Sequence, residues 1–150
     1  MIKTEITDNL CLVSINISGE SKRAMSIIDA FLEENGLFPV FLSGGDAFGK
    51  DDKIFVAVAG EEVFTLMNVL GSIRQDAGIK NYSINCSNSM VKWNGTKKGS
   101  AKVLADVDFD IKLAVLSEND GICFCDTSHA KPLCTLLNAA ATQHGFESLG

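Results

Sequence analysis

The sequence predicts an α+β protein: a ferredoxin-like βαββαβ sheet with helices on one face, followed by a C-terminal ββα extension. Apolar residues recur at every second position in some segments, as in half-buried strands, and at every third or fourth in others, as in amphipathic helices. With 150 residues, 46% of them hydrophobic, the chain is long enough to bury a core. We expect a ferredoxin-like unit over residues 1–95 and an extension over 96–150, packed on or continuing the same sheet.

The first half of the chain alternates strand and helix signals. Apolar residues from Cys11 to Ile17 alternate with Ser14 and Asn16, which is the pattern of a strand with one buried face. A helical spacing then runs to Gly36, a residue suited to a left-handed C-cap. The predicted elements are strand 10–17, helix 24–36, strand 37–42, strand 54–58, helix 61–78 and strand 82–86, with a Gly- and Asp-rich hairpin loop over 43–52.

The second half predicts a linker over 94–100 and a long strand over 103–115, in which apolar residues alternate with aspartates and a lysine. The Asp120-Gly121 pair indicates a tight turn before a strand over 122–125. A last helix follows, capped by Asp126, Thr127 or Ser128, with Pro132 in its first turn. Residues 37–78 and 109–145 share one order of elements. This echo is either a degenerate duplication or a common way to cover one sheet face.

Charge and composition exclude several classes of function. A net charge of -6 and a pI near 4.8 oppose binding to nucleic acid, which depends on clustered lysine and arginine. We interpret the basic group at Lys97, Lys98 and Lys102 as a solvated loop. Residues 1–5 lack the long apolar stretch of a signal peptide, and no apolar run approaches the ~20 residues that span a bilayer. We therefore expect a cytoplasmic protein without membrane contact, whose five cysteines are reduced thiols.

The stretch 10–15, the glycine-bearing loop after it, the helix over 24–31 and the segment Glu33-Glu34-Asn35-Gly36, followed by two strands and a helix, resemble an ACT domain of the aspartokinase type. The resemblance covers residues 10–86. It implies a non-catalytic regulatory module that forms a homodimer and binds an effector amino acid at the loop after the first strand. The matching residues are Ser18, Gly19, Glu20 and Ser21. Backbone amides at the helix start there are suited to hold a carboxylate. Because the tail lacks a helix between its strands, we do not expect a tandem second copy.

Two other motifs carry weaker chemical signals. The set Cys123, Cys125, His129 and Cys134 gathers ligand types that suit zinc, but it lacks a CxxC knuckle, which favours buried, metal-free cysteines. The segment 43–48 contains a Gly-Gly-Asp sequence like that of diguanylate cyclases and of CRISPR polymerase-like palms. Such enzymes need a second carboxylate on the first strand, where this chain has Ser14, Asn16 and Ser18.

The main alternative function is a protein-binding adaptor or inhibitor. Asp106, Asp108 and Asp110 lie on the wet face of the predicted strand 103–115 and offer an acidic patch to a basic partner. A degenerate nucleotide-cyclase or polymerase palm is the remote alternative. The sequence therefore predicts a regulatory module for a small-molecule ligand of the amino-acid class, and neither an enzyme nor a protein with a metal or cofactor.

Overall fold

The computed structural model describes residues 3–37, 39–43 and 53–144. The strands are β1 (Thr4–Ile17), β2 (Val40–Ser43), β3 (Lys53–Ala59), β4 (Ile79–Asn94), β5 (Ile111–Leu116) and β6 (Asp120–Asp126). The helices are α1 (Ser21–Glu34), α2 (Val63–Ser72), α3 (Arg74–Ala77), α4 (Lys97–Asp106) and α5 (Thr127–His144), and a 3-10 turn (Gly60–Glu62) precedes α2. Contacts divide the chain into a contiguous unit, Leu10–Cys86, and a split unit, Met1–Asn9 with Ser87–Gly150. Both differ from the predicted boundary after residue 95.

The contiguous unit has the predicted ferredoxin-like βαββαβ order, with strands arranged β2-β3-β1-β4. Its core lies between the helices and one face of the antiparallel sheet, to which β1 contributes its odd-numbered side chains and β3 its even-numbered ones. Val13 and Ile28 are fully buried in this core, and Ile27 packs against it. The alternating apolar side chains of the strands therefore pack against the apolar face of α1 as predicted. The α+β fold class is confirmed.

The pairing of β1 with β4 in the contiguous unit corrects the prediction for the cysteines. Asn16 donates a 2.6 Å side-chain hydrogen bond to Asn81, and five residues nearer the start of β1 the opposed side chains are Cys11 and Cys86, which form a disulfide. Their Cα atoms are 4.1 Å apart because the two strands are immediate neighbours. Five reduced thiols were predicted, whereas three are free in the structure.

The split unit contains the same set of elements in a different chain order. β4 continues into it, α4, β5, β6 and α5 follow, and the start of β1 supplies the remaining strand, giving the arrangement β1-β4-β6-β5. Along the antiparallel pair of β1 and β4, Asp8 contacts Ser89, and five residues further back Lys3 bonds to Asn94. The C-terminal part is thus more than a ββα extension. The prediction that it has no helix between its strands is wrong, because α4 lies between β4 and β5.

Helix α4 forms where the sequence predicted a linker and the start of a strand. Thr96 caps it, accepting a 3.1 Å hydrogen bond from the backbone N–H of Gly99. Ser100 is fully buried and accepts a 2.8 Å hydrogen bond from Nε1 of Trp93. Val103, one turn on, is buried too. This burial at helical spacing outweighs the alternation of polar and apolar residues, so the strand begins only at Ile111.

The core of the split unit brings β4 and β6 against α4 and α5. Its buried members are Val91, Trp93, Val103, Cys123, Cys125, Ala130, Leu133 and Leu137, and Ile6 of β1 packs against them. Gly121, predicted in a turn, lies instead within β6 and pairs with Trp93. A Cβ atom at Gly121 would overlap the indole ring of Trp93. Glycine is therefore required here by the close approach of the aromatic ring.

Helix α5 begins at Thr127, one of the three predicted caps. Pro132 lies inside the helix, in its second turn, and not in the first turn as predicted. Among the described residues, no helix is long and apolar enough to cross a bilayer.

The contact between Gly121 and Trp93 leads to a prediction about stability. We expect Gly121→Ala to lower the free energy of unfolding by about 1–3 kcal/mol, because the added methyl group displaces a core indole. Urea denaturation followed by Trp93 fluorescence measures the change. Gly71→Ala is the matched control, since nothing lies within 4 Å of its Cβ position on α2 and alanine favours helix. Equal stability of the two variants would show that the ring does not occupy this place.

Candidate functional site

The loop between β1 and α1 contains the residues predicted to bind a ligand. β1 ends at Ile17 and α1 begins at Ser21, so the structure brings Ser18, Gly19 and Glu20 together at the start of the helix. All three are exposed. Gly19 has a φ of 111°, a conformation that only glycine adopts readily, and it turns the chain from the strand into the helix.

This loop is attached to the turn that precedes β4. The backbone N–H of Ser18 donates a 2.8 Å hydrogen bond to the carbonyl oxygen of Gly78, and the Ser18 hydroxyl donates a second, of 3.3 Å, to the same oxygen. Gly78 has a φ of 71°, and a Cβ atom added to it would lie 2.7 Å from the Ser18 carbonyl oxygen. Gly78 therefore fixes the position of Ser18 from 60 residues away.

The electrostatics of the loop favour an anion. Glu20 is the N-cap residue of α1, but its side chain makes no capping hydrogen bond, and the first turn contains no acidic residue. The first amides of a helix have no acceptor within the helix, and they coincide with the positive end of its dipole. Lys22 and Arg23 in this turn are exposed and add positive charge.

Sequence analysis missed Gly78, Lys22 and Arg23. The two basic residues lie next to the predicted loop and were a detectable signal, since they replace the acidic residues usual in a first helical turn. Gly78 was predicted only as the end of a helix. Nothing local connects it to Ser18, because their contact arises from the pairing of the strands that flank them.

The acidic strand face predicted for a protein partner does not form. Asp106 is the last residue of α4, while Asp108 and Asp110 lie in the connection before β5. All three are exposed. They share no strand, because the helix that buries Val103 takes up the first part of the predicted alternation. The alternative of an adaptor that uses this face therefore loses its structural basis.

The cysteine and histidine motif is distributed through the core of the split unit. Cys123 and Cys125 are buried on one face of β6, and Cys134 of α5 packs beside them. The His129 ring stacks on Phe109 instead, with ring centroids 4.5 Å apart. Among the residues that the structure describes, no group of three or more histidine, cysteine or acidic side chains is arranged to hold a metal ion. The Gly-Gly-Asp segment lies outside the described residues.

The pKa values of the three free thiols and of Asp126, the residue before α5, are shifted. The pKa of Cys125 is lowered because the Cys123 thiol donates a hydrogen bond to it, and the pKa of Cys123 is raised by the same bond and then by burial. Burial also raises the pKa of Cys134. The pKa of Asp126 is lowered by its 3.0 Å hydrogen bond and ion pair with Nζ of Lys112.

Comparison with known proteins shows that the fold of this chain is similar to that of solved aspartate kinase structures. No protein-family model and no curated protein sequence matches the chain. The structure nevertheless resembles the regulatory subunit of aspartate kinase from Thermus flavus, with a TM-score of 0.71 at 11% identity over 91% of this chain and 95% of that one. The structural resemblance predicted from residues 10–86 is confirmed, and it extends over nearly the whole chain.

Two complete enzymes contain a similar region. The aspartate kinase of Clostridium acetobutylicum matches with a TM-score of 0.76 at 15% identity, covering 95% of this chain and 35% of that one. Aspartokinase III of E. coli, in complex with lysine and aspartate, matches with a TM-score of 0.63 at 10% identity, covering 91% of this chain and 32% of that one. At such identities the similarity establishes the fold.

The Lys112–Asp126 ion pair gives a prediction about pH. Because the folded-state pKa of Asp126 lies below its ordinary value of 3.8, the pair contributes stability above that value, and this contribution is lost as the pH falls through the folded pKa. We expect Lys112→Met to raise the pKa of Asp126 toward 3.8, as measured by NMR titration of its carboxyl carbon. Lys131→Met, an exposed change on α5, is the control. An unchanged pKa in Lys112→Met would contradict the ion pair.

Proposed function

We propose that this chain is a non-catalytic regulatory module that binds an amino acid, or a similar small anion, at Ser18, Gly19, Glu20 and Ser21, and that it acts as a homodimer in the cytoplasm. The observation that carries the proposal is the similarity to a free-standing regulatory subunit of aspartate kinase over nearly the full length of both chains. A chain that matches the regulatory portion of a kinase, and only about a third of the complete enzymes, is suited to control an activity that resides elsewhere.

In the binding mode that we propose, the two charged groups of an amino-acid zwitterion contact different parts of the loop. The ligand carboxylate accepts hydrogen bonds from the first amides of α1, where the helix dipole, Lys22 and Arg23 favour negative charge. The ligand ammonium group lies near the carboxylate of Glu20, which is free of a capping bond. Such a division selects free amino acids over simple anions, because a simple anion leaves Glu20 uncompensated.

The attachment of the loop to Gly78 supports the same proposal. Binding sites require their groups to be held in place before the ligand arrives, since ordering them on binding weakens affinity. Both hydrogen bonds from Ser18 to the Gly78 carbonyl oxygen hold the loop at the helix start. The amides therefore present a fixed geometry to a carboxylate.

The cytoplasmic location and the dimer belong to the same proposal. Sedimentation of the purified chain, with and without an amino acid, tests the dimer. A monomer under both conditions contradicts it.

A thermal-shift screen of the standard amino acids tests the ligand class. A ligand present at about 100 times its dissociation constant stabilises the folded state by about 2.7 kcal/mol, which raises the melting temperature measurably. We expect stabilisation by at least one free amino acid. Stabilisation by nucleotide with divalent metal, and by no amino acid, would instead favour the palm-like alternative.

A matched pair of glycine variants tests the site. Gly78 and Gly36 have φ angles of 71° and 75°, so alanine costs about 1–2 kcal/mol of backbone strain at either position. Only at Gly78 does the new Cβ meet Ser18, since nothing lies within 4 Å at Gly36. We expect Gly78→Ala to weaken amino-acid binding about tenfold or more, which corresponds to the loss of one charge-assisted hydrogen bond. Gly36→Ala should leave the affinity unchanged.

Isothermal titration with the amino acid found in the screen measures both affinities. Equal affinities for the two variants would show that the ligand does not depend on this loop. Glu20→Gln, which removes the charge but keeps the shape, should weaken the same ligand, and an unchanged affinity would remove the ammonium contact from the proposal.

A further inference from the structure

The disulfide between Cys11 and Cys86 joins the first and the last strand of the contiguous unit. The two cysteines are 75 residues apart in the sequence, and the unit itself runs from Leu10 to Cys86. Nearly every residue of the unit therefore lies inside the loop that the disulfide closes. A crosslink that closes a long loop acts mainly by restricting the unfolded chain, so this one bond affects the stability of the whole unit.

The two cysteines differ in their access to solvent. Cys11 is 2% exposed and belongs to the core of the contiguous unit. Cys86 is exposed, and it lies on β4, the edge strand of that unit. A dissolved thiol therefore reaches Cys86 while the chain is folded. Exposed disulfides are generally the labile and regulatory ones, whereas structural disulfides resist reduction.

Two backbone conformations next to the disulfide are unusual. Asn9, two residues before Cys11, has a φ of 59°, and Ser87, directly after Cys86, has a φ of 62°. The left-handed region is unfavourable for residues that carry a Cβ atom, and it persists where the surrounding structure holds it. Reduction of the disulfide therefore removes a constraint beside both residues.

The reduced chain is compatible with the same fold. A free cysteine packs as a small apolar side chain, so Cys11 stays in the core without its partner. The pairing of β1 with β4 retains the hydrogen bond from Asn16 to Asn81 and the two hydrogen bonds from Ser18 to Gly78. Loss of the disulfide should therefore loosen this strand pair without unfolding it.

We propose that Cys11 and Cys86 form a reversible redox switch, which a thiol reductant opens and its disulfide closes. A thiolate of the reductant attacks Sγ of Cys86, the S–S bond breaks, and Cys11 leaves as a thiolate that takes up a proton. A second thiolate attacks the mixed disulfide and releases Cys86, which takes up the other proton. The pair gains two electrons, and two molecules of reductant become one disulfide.

A redox titration of the full-length chain tests whether the pair switches in the folded state. The chain is equilibrated in buffers of reduced and oxidised glutathione, and its free thiols are then blocked with iodoacetamide in denaturant and counted by mass spectrometry. We expect three blocked thiols in the oxidised chain and all five in the reduced chain, with full recovery of the first state on reoxidation. A bond that breaks only when the chain unfolds, as judged by NMR dispersion, is a permanent crosslink and overturns the proposal.

Amide hydrogen exchange measures the effect of the switch on the strand pair. We expect reduction to speed the exchange of amides over residues 10–18 and 79–86 about 100-fold. Amides over residues 120–126 are the internal control, because this strand contains only the free cysteines Cys123 and Cys125, and they should change much less. Unchanged rates in the first set, or equal acceleration of both sets, would contradict a switch in the contiguous unit.

Two serine variants separate the switch from the general effect of losing a cysteine. Cys86→Ser imitates the reduced state at an exposed position and should exchange rapidly with or without glutathione. Cys134→Ser removes a free thiol and should keep the full response to glutathione. A Cys86→Ser chain that still responds as the parent does would refute the assignment. None of these measurements needs a ligand, so the switch and the proposed ligand site fail separately.

Discussion

The antiparallel pairing of β1 with β4 is the constraint on which both units depend. Within the contiguous unit, β1 is an inner strand and β4 lies at the edge. Within the split unit β4 is the inner strand, and the start of β1 lies at the edge. Each unit therefore takes two of its four strands from the same pair. A slip of one residue would turn every side chain of a strand to the opposite face, and both cores would lose their apolar residues together.

The contiguous unit could be predicted because its signals are local. The alternation from Cys11 to Ile17 and the helical spacing after it lie within short windows, and each agrees with the side on which the core is built. The split unit could not be predicted in the same way. Its first strand, Thr4–Asn9, is largely polar and exposed, and its partner lies more than 80 residues away in the sequence. Local periodicity carries no information about such a partner.

The missed helix α4 shows how two patterns compete. Val103 and Val107 are compatible with both a period of two and a spacing of four, so the alternation alone does not separate strand from helix. The deciding contacts are the cap at Thr96 and the hydrogen bond from the Trp93 indole to Ser100. The first was readable from the sequence as a threonine before a helical run. The second depends on β4 being in place, and so it required the structure.

The candidate sites differed in the same way. The loop from Ser18 to Ser21 was found because a strand, a glycine and a helix start follow one another in the chain. Its anchor at Gly78 is a product of strand pairing. The disulfide has the same origin, since Cys11 and Cys86 become neighbours only when β1 and β4 are aligned. The contacts that could not be predicted from this sequence are therefore mainly those between residues brought together by the pairing of β1 and β4.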